Sequence, residues 1–415
     1  MQNFCNMKRP LAISLSPNLE GQDVWLAFRL LVSPWTWVKG DSIRLLELWF
    51  RQYFGVSHAV AFASGRGALF SILKALEITK GDQVLLQAFT CVAVPNAVLA
   101  TGATPVYVDI DKTFTMNPQS AQEKISQKTK AIIVQHTFGI PTNMEKIKKL
   151  AKEHNLFIIE DCAHGIGGEY KGKKLGLFGH AAFISFGRDK AFSSVSGGMA
   201  ITDKKLLGTA IRRLQKQEGY PHMFWIFQQL LHSVAFFFIL PLYDFFSLGK
   251  ILLVALQKLH FLSFPVLSSE KQGEMPRFFI AKLPNVLASL ALLQLRRLEV
   301  FNKKRVVNTQ VYTKVLGERP ELSNAILLRF PLLIEQRDNL VQYLRQKGVY
   351  TGKWYSEVID PKGVDYKKIG YVRGSCPVVE HVARKIINLP TYPTMQADDA
   401  RKVAALVKNY LSFPT

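Results

Sequence analysis

Cysteine is scarce in this chain of 415 residues, and what is present is scattered. The four cysteines, Cys5, Cys91, Cys162 and Cys376, are far apart, and no C-x-x-C pair occurs. The sequence therefore predicts neither a metal site nor a redox pair, and it favours a reducing, cytoplasmic compartment. Residues 1–20 lack a long apolar core after a basic start, so no secretory signal is predicted.

Acidic residues are also few. Aspartate and glutamate number 31 against 53 lysines and arginines, which gives a formal net charge of +22. Such an excess favours polyanions as partners: nucleic acid, anionic lipid or phosphorylated substrates. No helix-turn-helix, zinc-finger or RNA-binding signature accompanies the charge, so no nucleic-acid partner is expected.

A dinucleotide-binding G-x-G-x-x-G is missing as well. Gly65 and Gly67 are not followed by a third glycine at the required place. This absence counts against a nucleotide-sugar oxidoreductase, which would need that motif early in the chain.

Apolar strand-like runs alternate with helical patterns from about residue 45 to residue 203. This alternation predicts an α/β fold with a mostly parallel sheet, whose ligands bind at the carboxyl ends of the strands. The length suggests two domains, and a short N-terminal segment precedes them. The predicted parts are an N-terminal segment 1–44, a large domain 45–300 with an apolar helical insert 220–267, and a small C-terminal α+β domain 301–415.

Two neighbouring strands are predicted to end in chemically useful side chains. The apolar run 156–160 leads into Asp161, and the run 182–186 leads through a polar turn to Lys190. A lysine amine can bond to the aldehyde of pyridoxal phosphate, and a carboxylate can keep the cofactor's pyridine nitrogen protonated. Either residue alone is typical of an ordinary surface lysine or a helix cap, so the pair carries the prediction.

Other residues fit a phosphate cradle or a ring contact. Ser64-Gly65-Arg66-Gly67 lies between a strand and a helix, where backbone amides can approach an anion. The same four residues are also typical of a plain tight turn. Ser185 offers a hydroxyl to the same phosphate, and His164 is either beside the cofactor's phenolic oxygen or simply packed.

Several motifs follow one another in a fixed order. They are Ser64-Gly65-x-x-Ala68-Leu69, Asp109-Ile-Asp111, Glu160-Asp161-x-Ala163-His164, Gly172-x-Lys174-x-Gly176, Phe186-x-x-x-Lys190 and Gly197-Gly198. Taken together, they resemble the DegT/DnrJ/EryC1/StrS aminotransferases, which are sugar aminotransferases of fold type I. The resemblance is close over residues 52–203 and resumes at 282–308, 376–380 and 389–393.

The resemblance implies pyridoxal 5'-phosphate as cofactor, with Lys190, Asp161 and His164 as catalytic residues. It implies transfer of an amino group from an amino acid, usually glutamate or glutamine, to a nucleotide-linked keto sugar, for cell-surface polysaccharide or glycan synthesis. A homodimer with active sites at the subunit interface is also implied. The implied cofactor-binding set is Ser64, Gly65, Arg66, Phe89, Cys91, Asp161, His164, Ser185 and Lys190.

Some positions depart from the family pattern. Arg66 stands where many members have threonine, and Cys91 stands where an aromatic residue commonly stacks on the ring. Phe89 is the candidate to replace that aromatic contact. Lysine rather than histidine at position 190 argues against the dehydratase branch.

A second reading, a non-catalytic pyridoxal-binding regulator or scaffold, also stays open, although intact Lys190 and Asp161 count against it.

The insert 220–267 is longer and more apolar than the resemblance leads us to expect. It favours either buried helices and a dimer contact, or attachment to an anionic membrane surface. Lys190 precedes the insert and the family pattern returns after it, so an odd number of membrane crossings is impossible. A re-entrant hairpin or helices lying in the interface remain, with the protein peripheral or monotopic on the cytoplasmic face.

Overall fold

The computed structural model describes residues 10–317, 319, 322 and 325–412. Cys5 and the start of the predicted N-terminal segment lie outside the described residues. In the described part the helices are α1 (Gly21–Leu31), α2 (Ser42–Phe54), α3 (Gly65–Ala75), α4 (Ala93–Leu99), α5 (Pro118–Glu123), α6 (Met144–Glu153), α7 (Lys205–Gln217), α8 (Met223–Ile239), α9 (Leu248–Lys258), α10 (Asn285–Leu295), α11 (Leu298–Leu316), α12 (Arg337–Gln346), α13 (Pro377–Lys385) and α14 (Ala397–Ser412).

The strands of the same part are short, and several have only two residues. They are β1 (Leu11–Ala12), β2 (His58–Phe62), β3 (Gln83–Gln87), β4 (Thr90–Cys91), β5 (Thr104–Val108), β6 (Thr129–Gln135), β7 (Phe157–Asp161), β8 (Glu169–Tyr170), β9 (Lys173–Lys174), β10 (Ala181–Ser185), β11 (Gly198–Thr202), β12 (Arg329–Leu333), β13 (Val349–Tyr350), β14 (Ile359–Asp360) and β15 (Ile386–Pro390).

A seven-stranded sheet in the order β2-β11-β10-β7-β6-β3-β5 forms the centre of the large part. The strands from β10 to β5 pair in parallel, while β11 runs antiparallel to both β10 and β2. Successive strand residues enter cores on opposite faces: Ile133 belongs to one cluster, and Ile132 and Val134 to another. Helices therefore cover both faces, as expected of a mainly parallel sheet. The predicted α/β fold class is confirmed.

The sheet brings the predicted site residues to one edge. Asp161 is the last residue of β7 and is aligned with Phe183 of the neighbouring β10. Ser185 is the last residue of β10 and is aligned with Gly198, the first residue of β11. Since β7 and β10 are parallel, their carboxyl ends place Asp161 beside the turn that carries Lys190.

The C-terminal part contains the antiparallel pair β12 and β15, together with helices α11 to α14. The sequence pattern predicts a strand over 326–330, but β12 begins only at Arg329. The amide of Leu328 donates to the carbonyl of Phe138 at 2.8 Å, and Leu327 accepts the hydroxyl of Thr391 at 2.7 Å. Because these groups are bonded elsewhere, the ladder with β15 starts three residues later than predicted.

The leading segment is tied to both parts of the molecule. β1 pairs in parallel with β13 of the C-terminal part, and α1 packs along α8 of the insert. The contacts of β1 and α1 join residues before position 44 to later parts of the chain, so they mark no domain boundary there. The predicted boundaries at residues 44 and 300 stay predictions.

The insert folds as the two helices α8 and α9. Ile226 and Leu230 of α8 are fully buried in the core beside the sheet, and Phe236 and Ile239 are buried nearer its end. None of the described helices is both long and apolar enough to cross a membrane. A hairpin with α8 descending into lipid does not fit this packing, which leaves helices lying in the interface as the membrane arrangement to consider.

Candidate active site

A cavity of about 490 Å³ opens at the carboxyl ends of the central strands. Its walls come from the turn before α3, the ends of β7 and β10, the chain 263–266 after α9, and the C-terminal part through Arg329, Trp354 and Tyr355. The cavity lies where an open α/β sheet is expected to bind its ligand.

Lys190 contributes its amine to this cavity. Burial and, to a smaller extent, the nearby Arg329 guanidinium lower the pKa of Lys190 to about 8, while Asp161 opposes the change. At pH 7 roughly a tenth of such an amine is neutral, against a few parts in ten thousand for an ordinary lysine. Neutral amine is the nucleophilic form, so the site prepares Lys190 to attack a carbonyl carbon.

The backbone of Lys190 is held from the distant start of the chain. Asn18 donates its side-chain N–H to the Lys190 carbonyl at 2.6 Å. The side-chain oxygen Oδ1 of Asn18 accepts from the Arg305 guanidinium at 3.0 Å, and Arg305 also donates to the carbonyl of Ala191 at 2.8 Å. Asn18 and Arg305 are each 1% exposed, so this hub fixes the turn from which the Lys190 side chain extends.

Asp161 faces the same cavity from the end of β7. Its carboxylate accepts the N–H of Ala163 at 2.9 Å. Burial raises the pKa of Asp161, and the Ala163 N–H, Lys190 and His136 act in the opposite direction. A buried carboxylate of this kind is stabilised by a cation placed against it, such as a protonated pyridine nitrogen.

His164 is held as a neutral ring. Burial lowers the pKa of His164 well below its usual value, and the positive charges of Lys190 and Arg329 add to the effect. Its Nδ1 accepts the N–H of Phe138 at 3.2 Å, which assigns the remaining proton to Nε2. His164 can therefore donate one hydrogen bond to an oxygen in the cavity.

The turn before α3 forms a compact cradle. The Ser64 hydroxyl accepts the N–H of Gly67 at 3.1 Å and donates to the carbonyl of Phe279 at 2.8 Å. A Cβ added to Gly65 would lie 2.9 Å from the Cβ of Ser185, and one added to Gly198 would lie 2.4 Å from the Gly65 nitrogen. Only glycine fits at both places, and the helix start is left open to an anion.

Ser185 supplies a hydroxyl beside that helix start. Ser185 lines the cavity, and its hydroxyl has no hydrogen-bond partner among the described residues. The Ser185 hydroxyl and the first amides of α3 together fit a phosphate group, and their predicted contact with the phosphate of the cofactor stays a prediction.

Arg66 is engaged with the chain after α9. Its guanidinium pairs with the buried carboxylate of Glu270 at 2.7 Å, donates to the Pro265 carbonyl at 2.7 Å, and lies 4.3 Å from the centre of the Phe279 ring. Burial raises the pKa of Glu270, and Arg66 opposes that rise. Arg66 thus fastens 265–270 to the cradle, and its predicted contact with a phosphate stays a prediction.

Of the two candidates for the ring face, Cys91 lines the cavity and Phe89 does not. Phe89 is fully buried, with its ring edge-to-face against Tyr355 at 5.2 Å between centroids. Burial raises the pKa of the Cys91 thiol, so this thiol is neutral. Tyr355, which lines the cavity in front of Phe89 and lies near-parallel to His164, is an aromatic contact that the sequence did not reveal.

Arg329 is the most consequential residue missed from the sequence. It is 3% exposed, and its guanidinium lies 3.8 Å from the centre of the Trp354 ring. One nitrogen donates to the Asp189 carbonyl at 3.5 Å, while Nε and Nη1 have no hydrogen-bond partner among the described residues. A charged residue inside the apolar run 326–330 was the signal that could have found it.

A buried cluster of His136, Glu160 and Cys162 has ligand atoms close enough together for a metal ion. The Glu160 carboxylate is already used by the N–H groups of Gly176, Phe178 and Gly179 and by the His136 ring. These bonds explain its burial without an ion. Glu160 clamps 176–179 against β7, directly before Asp161.

A lysine and an aspartate meeting at neighbouring strand ends, beside a glycine-rich helix start, are the features of a fold-type-I pyridoxal phosphate enzyme. The chain belongs to the DegT/DnrJ/EryC1/StrS aminotransferase family, whose model matches residues 22–230 and 260–408. The predicted family and the prediction of a transaminase are thereby confirmed. Membership implies pyridoxal phosphate as the cofactor, and the cavity residues fit that group.

Individual relatives agree with the family. A GDP-perosamine synthase of Escherichia coli O157:H7 is 41% identical over 192 residues, which is 46% of this chain and 53% of that protein, so the match spans about half of that relative. A UDP-N-acetyl-3-dehydro-alpha-D-glucosamine 3-aminotransferase of Acidithiobacillus ferrooxidans is 29% identical over 91% of this chain and 90% of its own length.

The fold is shared with solved structures. The aminotransferase from Psychrobacter cryohalolentis has a TM-score of 0.72 and 23% identity, over 95% of this chain and 98% of that one. This agreement confirms the fold-type-I architecture.

Proposed function

We propose that this protein transfers an amino group from an amino acid, glutamate or glutamine, to a keto sugar linked to a nucleotide, in the synthesis of a cell-surface polysaccharide or other glycan. The observation that carries the proposal is the Lys190 amine, with its lowered pKa, facing Asp161 in one cavity. The printed activities of the E. coli and A. ferrooxidans relatives support a nucleotide sugar as acceptor.

Each cavity residue then has a task. When bound, pyridoxal phosphate supplies an aldehyde that exchanges amino groups and a ring that takes up electrons. Lys190 would hold the cofactor through its amine and, as a free amine, would move the proton of the donor α-carbon. Asp161 would keep the ring nitrogen protonated, and the Nε2–H of His164 would donate to an oxygen of the ring.

Arg329 gives the donor an anchor. Its positive charge lowers the pKa of both Lys190 and His164, so it acts close to where the reaction occurs. A buried cation with two unpartnered N–H groups is stabilised by an anion that brings oxygen acceptors. We propose that this anion is a carboxylate of the amino donor.

Arg329→Leu is expected to weaken the amino-donor half-reaction by about tenfold to a hundredfold, mainly through KM, because hydrogen bonds to a charged group contribute about 1.5–3 kcal/mol. Single-turnover spectra with glutamate or glutamine measure this step. Arg329→Lys keeps the charge and should lose less. Arg401→Leu, which removes an exposed arginine that pairs with Asp398 on α14, is the control. A loss confined to the keto-sugar half-reaction would contradict the assignment.

A panel of keto-sugar nucleotides offered with glutamate or glutamine tests the whole proposal. The donor should remove the visible absorbance of the lysine-bound cofactor, and the correct keto sugar should restore it and yield an amino sugar detectable by mass. An absorbance band that no donor changes would favour the non-catalytic binder. Protein that takes up a nicotinamide dinucleotide instead of pyridoxal phosphate would favour the oxidoreductase.

The proposal includes a cytoplasmic homodimer, as the family resemblance implies. Lys190 and Asp161 come from the same chain. In the implied dimer each cavity would lie at the interface between the two subunits. The polysaccharide pathway, the donor and the dimer all rest on this resemblance.

A further inference from the structure

A row of exposed apolar side chains covers the outside of the insert. We define the apolar face as Phe245, Phe246, Leu248, Ile251, Leu252 and Leu259. Phe246 is 82% exposed, Ile251 62% and Leu259 64%. The members on α9 and at its end follow helical spacing of three, four and eleven residues, so they lie along one side of the helix.

An adjoining side of α9 is apolar too. Leu253 and Leu256 pack against the cluster that contains Phe236, Ile239 and Leu240. A surface helix in water normally has one apolar side and one polar side. Since α9 already buries its inner side, no contact among the described residues explains why the exposed face is apolar as well.

The apolar face is built on a fixed support. A Cβ added to Gly249 would lie 2.3 Å from the Ile239 carbonyl oxygen, so the start of α9 presses directly against the end of α8. Lys250 bonds to Asp244 at 3.3 Å and to the Tyr350 hydroxyl at 3.2 Å. These contacts hold the connecting loop and present Phe245 and Phe246 outward.

The sequence model of the family does not match this surface. It matches up to residue 230 and resumes at residue 260. The gap, 231–259, contains all six residues of the apolar face, so these residues are not part of the shared sequence pattern.

Charge favours an anionic lipid surface as the partner of the apolar face. Asp244 is the only acidic residue in 220–267, and it is paired with Lys250. The chain carries +22 overall, which attracts anionic lipid. At 11 residues α9 is about 16 Å long, roughly half of a bilayer's apolar thickness, so it suits the interface and not a crossing.

We propose that the apolar face inserts into the headgroup boundary of an anionic membrane, with α9 lying in the plane of the interface. The aminotransferase reaction does not require this contact. The face instead brings the cavity to the membrane surface, because the chain that leaves α9 forms the cavity wall at 263–266.

Co-sedimentation of the full-length, cofactor-loaded protein with vesicles tests the proposal. The protein should sediment with phosphatidylglycerol-containing vesicles and much less with pure phosphatidylcholine. The double variant Phe246→Ser, Ile251→Glu should lose this binding by at least about tenfold, while its cofactor spectrum is unchanged. Leu206→Glu, which alters an 88% exposed leucine on α7 outside the insert, should bind as the unmodified protein does.

Two outcomes would overturn the proposal. One is unmodified protein that stays in the supernatant with anionic vesicles at low salt. The other is a double variant whose mass in solution, measured by light scattering, falls from dimer to monomer, because the apolar face would then be an interface between copies.

Discussion

Lys190→Ala should abolish the visible absorbance of the lysine-bound cofactor and slow amino transfer by at least about 10²–10⁴-fold. The variant removes the amine proposed to hold the cofactor covalently, which is also the base proposed to move the donor's proton. The rest of the cavity keeps its shape, because the Asn18 and Arg305 contacts reach backbone carbonyls and not the Lys190 side chain.

Borohydride treatment followed by mass spectrometry gives a measurement independent of turnover. Unmodified protein should gain the mass of one cofactor on the peptide containing Lys190, and the variant should gain none. Lys171→Ala is a matched control, since that exposed lysine pairs with Glu145 on the surface. A cofactor adduct that persists in Lys190→Ala would overturn the assignment.

The pKa of Lys190 also determines how the rate of cofactor capture changes with pH. Below a pKa of about 8 the amine is mostly protonated and cannot attack. The rate at which cofactor-free protein captures pyridoxal phosphate should therefore rise with pH, about tenfold per unit below 8, and level off above it.

Asp161→Asn should reduce turnover by about 10²–10³-fold, the usual effect of removing one preorganised electrostatic partner. Asparagine keeps the size of the side chain and can still accept the Ala163 N–H. It lacks the negative charge that holds a proton on the pyridine nitrogen, so the ring would take up electrons less readily.

A pH titration of the bound cofactor's spectrum reports this loss directly, because the ring nitrogen should release its proton at lower pH in Asp161→Asn. Thermal unfolding checks that the variant is folded. Asp203→Asn, at an exposed carboxylate that binds Ser57, serves as the control. A larger spectral effect from Asp189→Asn would transfer the role to Asp189, which also lines the cavity.

The polar strand ends could be predicted from sequence because the rule behind them is geometric. Parallel strands end at a common edge, so Asp161, Ser185 and Lys190 had to be near one another once the sheet was recognised. The order of motifs added the family. Neither argument needed any knowledge of side-chain packing.

Residues supplied by distant packing could not be predicted in this way. Arg329 reaches the cavity from the C-terminal part, and Glu270, the partner of Arg66, lies 204 positions away in the sequence. Phe89 was proposed because it is close to Cys91 along the chain, but its ring belongs to the buried core behind Tyr355. Hydropathy likewise could not show that α8 buries Ile226 and Leu230 in the core while α9 exposes an apolar side.

The contacts of Asn18 have a consequence for the order of folding. Asn18 meets Lys190 across 172 positions and Arg305 across 287, so the turn bearing the lysine is not secured until most of the chain has been synthesised. Contacts of such long range form slowly. Covalent capture of pyridoxal phosphate should thus require that the chain through Arg305 has been synthesised, and a truncation that removes Asn18 would leave the Arg305 charge buried with one acceptor fewer.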